Sequence, residues 1–253
     1  MKNESKNLNH SDFLVFFLGI VLIGILLQIL GKAKGNDLVF PSVIEIFRAF
    51  IRLLVTKQTY KCIFVSIFHL ALSLFFSTVI GVLIGVVSGL FPFVKKLLSP
   101  LMTMLRSIPM IVLVVIIMVL TQYPYIPYIA TSVLLIPLIS EATCEGFLHI
   151  DQELIDVYRL VSNFSPKILI YVYLPLMTGY LKQAYINAVG MGMKLVISSE
   201  YLVQTKNSLG KAIYLSSYFN EYQDIYAYAL VMIFLVALLT KIPMWVIKKS
   251  GTW

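Results

Sequence analysis

The chain has 253 residues, 59% of them hydrophobic and 13% charged, and a mean hydropathy of +0.90. That is far more apolar than a soluble domain and places it among integral membrane proteins. The net charge of +8 does not mark a nucleic-acid binder, because Lys and Arg are scattered at the ends of apolar runs, where they anchor at headgroup level. The two cysteines, Cys62 and Cys144, fall in or beside apolar runs and argue against a disulfide framework or a paired-cysteine metal site.

In chain order, residues 1–12 are polar and read as a short tail. FLVFFLGIVLIGILLQIL, residues 13–30, carries no charge and is long enough to cross about 30 Å of hydrocarbon. No small-residue cleavage pattern follows it, so it reads as a retained first span rather than a signal peptide. PSVIEIFRAFIRLL has apolar residues at helical spacing interrupted by Glu45, Arg48 and Arg52, a pattern that suits a helix lying along the membrane interface. The second span, about residues 63–90, places Gly81, Gly85 and Gly89 on one stripe, which lets a neighbouring helix come close. The third, about residues 97–120, is broken by Arg106 and Pro109 in LRSIPM. The fourth runs over about residues 126–139 and ends in SEATCEG. A fifth covers about residues 172–203 and a sixth about residues 225–247, six in all. Lys and Arg divide almost evenly between the two sides, so charge alone does not orient them.

Sequence motifs for catalysis are absent: there is no H-E-x-x-H and no G-x-S-x-G, and His10, His69 and His149 are too far apart to suggest a local metal site. NSLGKA lacks the first glycine of a phosphate-binding loop and has Ala212 where that loop has Ser or Thr, so the chain shows no sign of binding ATP. A charge at the centre of a span costs about 2.5 to 3.5 kcal/mol on insertion scales. Lys194 and Glu200 in the fifth span, Glu141 and Glu145 near the end of the fourth, and Arg106 are therefore candidates for a polar pathway or for pairs across helices. For the glutamates the alternative is a place at the water interface, and for Lys194 snorkelling.

The stretch DQELIDVYRLVSNFSPKILIYVYLPLM departs from this pattern. Leu154, Val157, Tyr158, Val161 and Phe164 share one helical face, and Gln152, Asp156, Arg159 and Asn163 the other. A break at Asn163 to Pro166 and a short second helix complete a helix–turn–helix too polar to cross lipid and available to a soluble partner.

This stretch resembles the EAA loop of the permease subunits of bacterial type I ABC importers. Within ELIDVYRLVSNFSPKILIYVYLP, which begins at Glu153, Asp156 stands at the acidic position, Val157 and Tyr158 at the two alanines, Ser162 at the glycine, and Leu174-Pro175 at the Leu-Pro end, with Arg159 beside them. FPSVIEIFRAF, the Gly-rich second span, LRSIPMIVL, the Gly146 region, MKLVISSE and SLGKAI follow in the order of the nitrate, sulfonate and taurine branch, and the resemblance covers about residues 40–245.

The resemblance implies an all-α polytopic protein of about six transmembrane helices in the bacterial cell (inner) membrane, with a cytoplasmic helix–turn–helix coupling loop and both termini cytoplasmic. Residues 1–12 are then a cytoplasmic tail, 31–61 an external loop with its interfacial helix, 62–247 a five-helix permease core that includes the coupling loop 147–171, and 248–253 a cytoplasmic end. It also implies a non-enzymatic subunit that pairs with a second permease, the same or homologous, and couples through Glu153, Asp156, Val157, Tyr158, Arg159, Ser162 and Pro175 to two cytoplasmic ATPases. Those partners would bind ATP and Mg, and this chain no cofactor or metal. An extracytoplasmic binding protein would deliver a small nutrient: a small organic or inorganic anion, on the pattern of the nitrate, sulfonate and taurine branch, or a thiamine-precursor-like or other small nutrient. Lys194, Glu200, Glu141 and Arg106 would line the pathway or its gate. Two other readings are an ion-gradient-driven secondary transporter and a membrane-embedded enzyme using Glu141, Glu145 or His149 as acid and base.

Overall fold

The computed structural model describes residue 29, residues 39–150 and residues 173–250. All but one residue of the first apolar run, the tail before it, residues 251–253 and the segment that holds Glu153, Asp156, Val157, Tyr158, Arg159 and Ser162 lie outside the described residues. Within them every regular element is helical, as expected of an all-α membrane protein. The chain divides into two compact units, Met1–Thr56 with Leu215–Val231, and Lys57–Tyr214 with Met232–Trp253.

In the first unit α1 (Val43–Val55) opens on a capping box. Ser42 Oγ accepts from Glu45 N at 3.3 Å and the Glu45 carboxylate accepts from Ser42 N at 2.8 Å, which satisfies two of the amide groups a helix start leaves open. Its apolar side chains Val43, Ile44, Phe47, Ile51 and Val55 share one face and are exposed. The opposite face turns Ala49 and Leu53 inward, and Arg52 pairs with Asp224. Such an exposed apolar face on a short charged helix suits the headgroup layer better than water.

In the second unit α2 (Lys57–Leu90) is 34 residues long, about 51 Å of helix at 1.5 Å per residue. It starts before the apolar run because Lys57, Gln58 and Lys61 are helix-compatible. α3 (Pro92–Ser107) and α4 (Met110–Leu120) follow, bent by 100° at their break. Pro109 keeps the residue before it out of the helical region, and Ile108 is extended at φ −65° and ψ 124°. After a 3-10 turn come α5 (Ile126–Leu148), a single turn at Leu174–Leu176, and α6 (Thr178–Val203). α7 (Leu209–Tyr218) and α8 (Tyr222–Ser250) each run across a boundary between the units in sequence.

Among the described residues three segments are long and apolar enough to cross a membrane, namely Lys57–Leu90, Tyr123–Leu148 and Tyr222–Lys241, and the bent pair α3 and α4 qualifies as a fourth when taken together. α6, the fifth span of the sequence reading, falls outside this set because Lys182, Gln183, Asn187, Lys194 and Glu200 dilute its apolar residues.

The packing inverts that of a soluble helix. α2 buries Thr59, Cys62, Ser66, His69, Ser73, Ser77, Gly81, Gly85 and Ser88 and exposes Phe64, Phe68, Phe75, Phe76 and Leu83. Lipid solvates the large apolar side chains, whereas small residues let backbones approach. A Cβ on Gly81 would lie 2.9 Å from Ile139 Cβ, one on Gly85 2.5 Å from Thr143 Cβ and 2.6 Å from the Ser140 carbonyl oxygen, and one on Gly89 2.8 Å from the Phe147 ring. The three glycines thus seat α2 against α5 along one line. α6 joins the same layer through Gly192, where a Cβ would meet Leu70 at 2.8 Å and Leu135 at 3.2 Å.

Gly85→Val forces a backbone carbonyl to move and should destabilise the protein by about 1–3 kcal/mol, the usual cost of overpacking. Gly190→Ala, where a Cβ meets nothing within 4 Å, should leave stability unchanged or raise it slightly. Thermal unfolding of the two variants in detergent checks both; equal midpoints would contradict this packing.

Candidate functional site

α6 carries two faces of different chemistry. Tyr180, Gln183, Asn187, Met191, Lys194 and Ser198 are all exposed and recur at a spacing that keeps them on one line along the helix. From Tyr180 to Ser198 that line is about 27 Å long, close to the roughly 30 Å of a hydrocarbon core. Gln183 Nε2 donates to Asn187 Oδ1 at 3.1 Å. On the opposite side Ala184, Ala188, Val189, Met193 and Val196 are buried. A line of amide, ammonium and hydroxyl groups cannot be solvated by lipid tails, so it must meet water or another protein.

At one end of this line a cavity of about 480 Å³ is bounded by Gln183, Asn187, Arg106, Glu141 and Glu145. Arg106, in the last turn of α3, donates to the Glu141 carboxylate of α5. Both side chains are about half exposed, so the pair contributes little to stability. The same pair, with Glu145, also borders a smaller cavity of about 200 Å³ on the α2 side, which Lys95, Thr103 and Cys144 help to line. Arg106, Glu141 and Glu145 therefore separate two adjoining spaces.

Lys194 and Glu200, grouped by the sequence as charges in one span, part company in the structure. Lys194 stands on the exposed line. Glu200 is 0% exposed. Its Oε2 accepts from Ser66 Oγ at 2.7 Å and from the Gly210 amide at 3.1 Å, and its Oε1 lies 2.7 Å from His69 Nδ1. Ser66 Oγ in turn accepts from the Leu209 amide at 3.0 Å, and Ser208 Oγ accepts from the Lys211 amide at 3.1 Å. The first three amides of α7, which a helix start leaves without intrahelical partners, are thus satisfied by Ser66, Glu200 and Ser208. Glu200 also brings a carboxylate to the positive end of a helix dipole. The SLGKA segment is an anion-binding helix start filled by the chain's own carboxylate.

Local sequence explains the geometry. Gln204 ends α6 in the left-handed region, φ 53° and ψ 45°, and Asn207 is left-handed at φ 55°. Two such residues turn the chain back sharply, and asparagine tolerates that conformation better than most. Gln58 Nε2 donates to Asn207 Oδ1 at 3.0 Å, tying the turn to α2. Gly210 is required by contact: a Cβ there would lie 2.4 Å from Glu200 Cβ and 2.5 Å from the Tyr201 amide nitrogen. Sequence reasoning missed Ser66, His69 and Gly210 as partners of Glu200. The available signal was a serine and a histidine one helical turn apart inside an apolar run. Of the residues assigned to the coupling loop, Pro175 is described; it lies exposed in the single turn, where its carbonyl accepts from Thr178 Oγ1 at 2.8 Å.

Residues 77–250 match the family model described as the inner membrane component of binding-protein-dependent transport systems. The chain belongs to this family. The match takes in α5, α6, Glu200 and Gly210, whereas Ser66 and His69 precede it. The fold of this transport component is similar to that of a solved structure of the MetNI methionine ABC transporter in inward-facing conformations, CY5 native crystal form, at 20% identity and a TM-score of 0.66, over 76% of this chain and 96% of that one. No curated protein sequence matches the chain.

Ser66→Ala strands the Leu209 amide and removes one donor from a buried carboxylate. It should destabilise the protein by about 1–3 kcal/mol, read as a lower thermal midpoint in detergent; a midpoint unchanged from the parent would contradict the network.

Proposed function

We propose that this chain is the permease subunit of an ATP-driven type I ABC importer. It works beside a second permease, a second copy or a homologous chain, above two cytoplasmic ATPases and beneath an extracytoplasmic binding protein. The observation that carries this reading is the polar line along the whole of α6 in a member of a transport family: it supplies one wall of an aqueous route, and a second permease supplies the other. Lys194, Asn187 and Gln183 face that route, and Arg106 and Glu141 stand at its far end, where an exposed ion pair can open and close at little cost.

The coupling loop, residues 147–171, then faces the cytoplasm and docks on an ATPase, with Asp156 and Arg159 supplying polar register at the contact. ATP and Mg belong to the ATPases, and both termini of this chain are cytoplasmic. The branch resemblance and the exposed Lys194 support a small nutrient that carries an anionic group, such as nitrate, a sulfonate or taurine.

The test is gentle detergent purification of the tagged chain from its native membranes, with mass spectrometry of what accompanies it. The expected eluate contains a Walker-motif ATPase and an extracytoplasmic binding protein. Asp156→Lys should leave the chain in the membrane and lower ATPase recovery by about tenfold or more, as the loss of a charge contact at a docking site does. A chain recovered without an ATPase in both forms would overturn the assignment and favour an ion-gradient-driven transporter.

A further inference from the structure

Glu200 is set apart from the proposed route: it lies on the side of α6 away from the polar line, fully buried, with its carboxylate held by α2 and by the start of α7. Helices in a membrane bundle are held by van der Waals packing of small residues and by interhelical hydrogen bonds, and packing alone leaves a helix some freedom to rotate. Directional contacts remove that freedom, and at this end of α6 three of them converge on one side chain. On the same helix the contact through Gly192 is a close approach without a hydrogen bond.

We propose that Glu200 is a positioning residue for transport: through its hydrogen bonds to Ser66, His69 and the Gly210 amide it sets the rotation of α6, and so decides which side chains face the route. The proposal rests on the reading of the polar line as a pathway wall. Glu200 does not touch the cargo; it acts through Asn187 and Lys194, which it keeps in register. The neighbouring SLGKA turn serves as its socket, since the amide of residue 210 reaches this carboxylate only with glycine at that position.

Cysteine labelling in the full-length chain in native membranes tests this. With Cys62 and Cys144 replaced by alanine, single cysteines are placed on the line, at Asn187 and Lys194, and on its two flanks, at Ile186 and Leu195, and their rates of reaction with a membrane-impermeant maleimide are compared. In the parent, the line should react at least about tenfold faster than the flanks, as the helical positions require. Glu200→Leu should reduce that contrast to less than about threefold, with one flank gaining what the line loses, as rotation of a helix demands. Glu200→Gln, whose amide oxygen still accepts from Ser66 and Gly210, should restore most of the contrast. Where Glu200→Leu does not accumulate, Glu200→Asp decides: its carboxylate is one methylene short of the socket and should lower the contrast by about threefold.

A parent contrast that survives in Glu200→Leu, or in Glu200→Asp when that variant decides, overturns the proposal and leaves the pathway reading standing. Equal rates at all four positions in both the Leu and Gln variants also overturn it, since that is a loss of fold rather than a rotation. Unreactive line positions in the parent overturn the pathway reading, and this proposal with it.

Discussion

The structure of the second unit turns on one buried carboxylate. Glu200 is withdrawn from water and from lipid, and an acidic group so placed persists only where its acceptor capacity is filled. Filling it requires Ser66 and His69 from α2, and the amide of Gly210 from α7. A single side chain therefore fixes α6 to α2, more than 130 residues away, and to the start of α7, ten residues on, and Ser66 and Ser208 satisfy the two amides that flank Gly210. The tight turn through Gln204 and Asn207, and the absence of a side chain at Gly210, follow from the need to bring that helix start up to the carboxylate.

Around this point the helices obey the solvent they sit in. α2 sends its phenylalanines outward and its serines and glycines inward, because in lipid close backbone approach and satisfied hydroxyls bind helices together while large apolar side chains gain nothing from burial. Ser73 and Ser132 illustrate the hydroxyl part of that rule: each donates to a carbonyl one turn back in its own helix, and across the helices Ser73 Oγ donates to the Tyr128 carbonyl at 3.3 Å and Ser132 Oγ to the Ser73 carbonyl at 3.4 Å. α6 differs from its neighbours in having a polar outer face as well as a small-residue inner one. Lipid tails cannot cover that outer face, which must meet water or another protein, and the transport reading therefore centres on it.

Much of this was legible in the sequence, and for physical reasons. Apolar run length marks α2, and the four-residue recurrence of glycine marks the face where α5 lies. Pro109 marks the break between α3 and α4, since it bars helix from the residue before it. Glu200 was legible as an expensive charge, but not its partners: His69 is 131 residues away, and pairing over that distance is set by tertiary packing rather than by any local pattern. The polar line on α6 was half-legible. Lys194 drew attention by its charge, whereas Gln183 and Asn187 became informative only once the helix fixed them, with Lys194, on one exposed face. Arg106 was legible as a charge at the break in the third span and Glu141 as one near the end of the fourth; their pairing, 35 residues apart, is set by tertiary packing.

The central claim is that ATP drives a route along this face of α6 to open at one end and then the other. The most direct measurement is the reactivity of single cysteines at Gln183 and Lys194 toward a membrane-impermeant thiol reagent applied from each side, in membranes that hold the assembled transporter, with and without ATP and Mg. Nucleotide should move the two positions in opposite senses, Lys194 gaining access from the Ser198 end of the helix as Gln183 loses it from the Tyr180 end. Rates that ignore nucleotide at both positions would contradict the account.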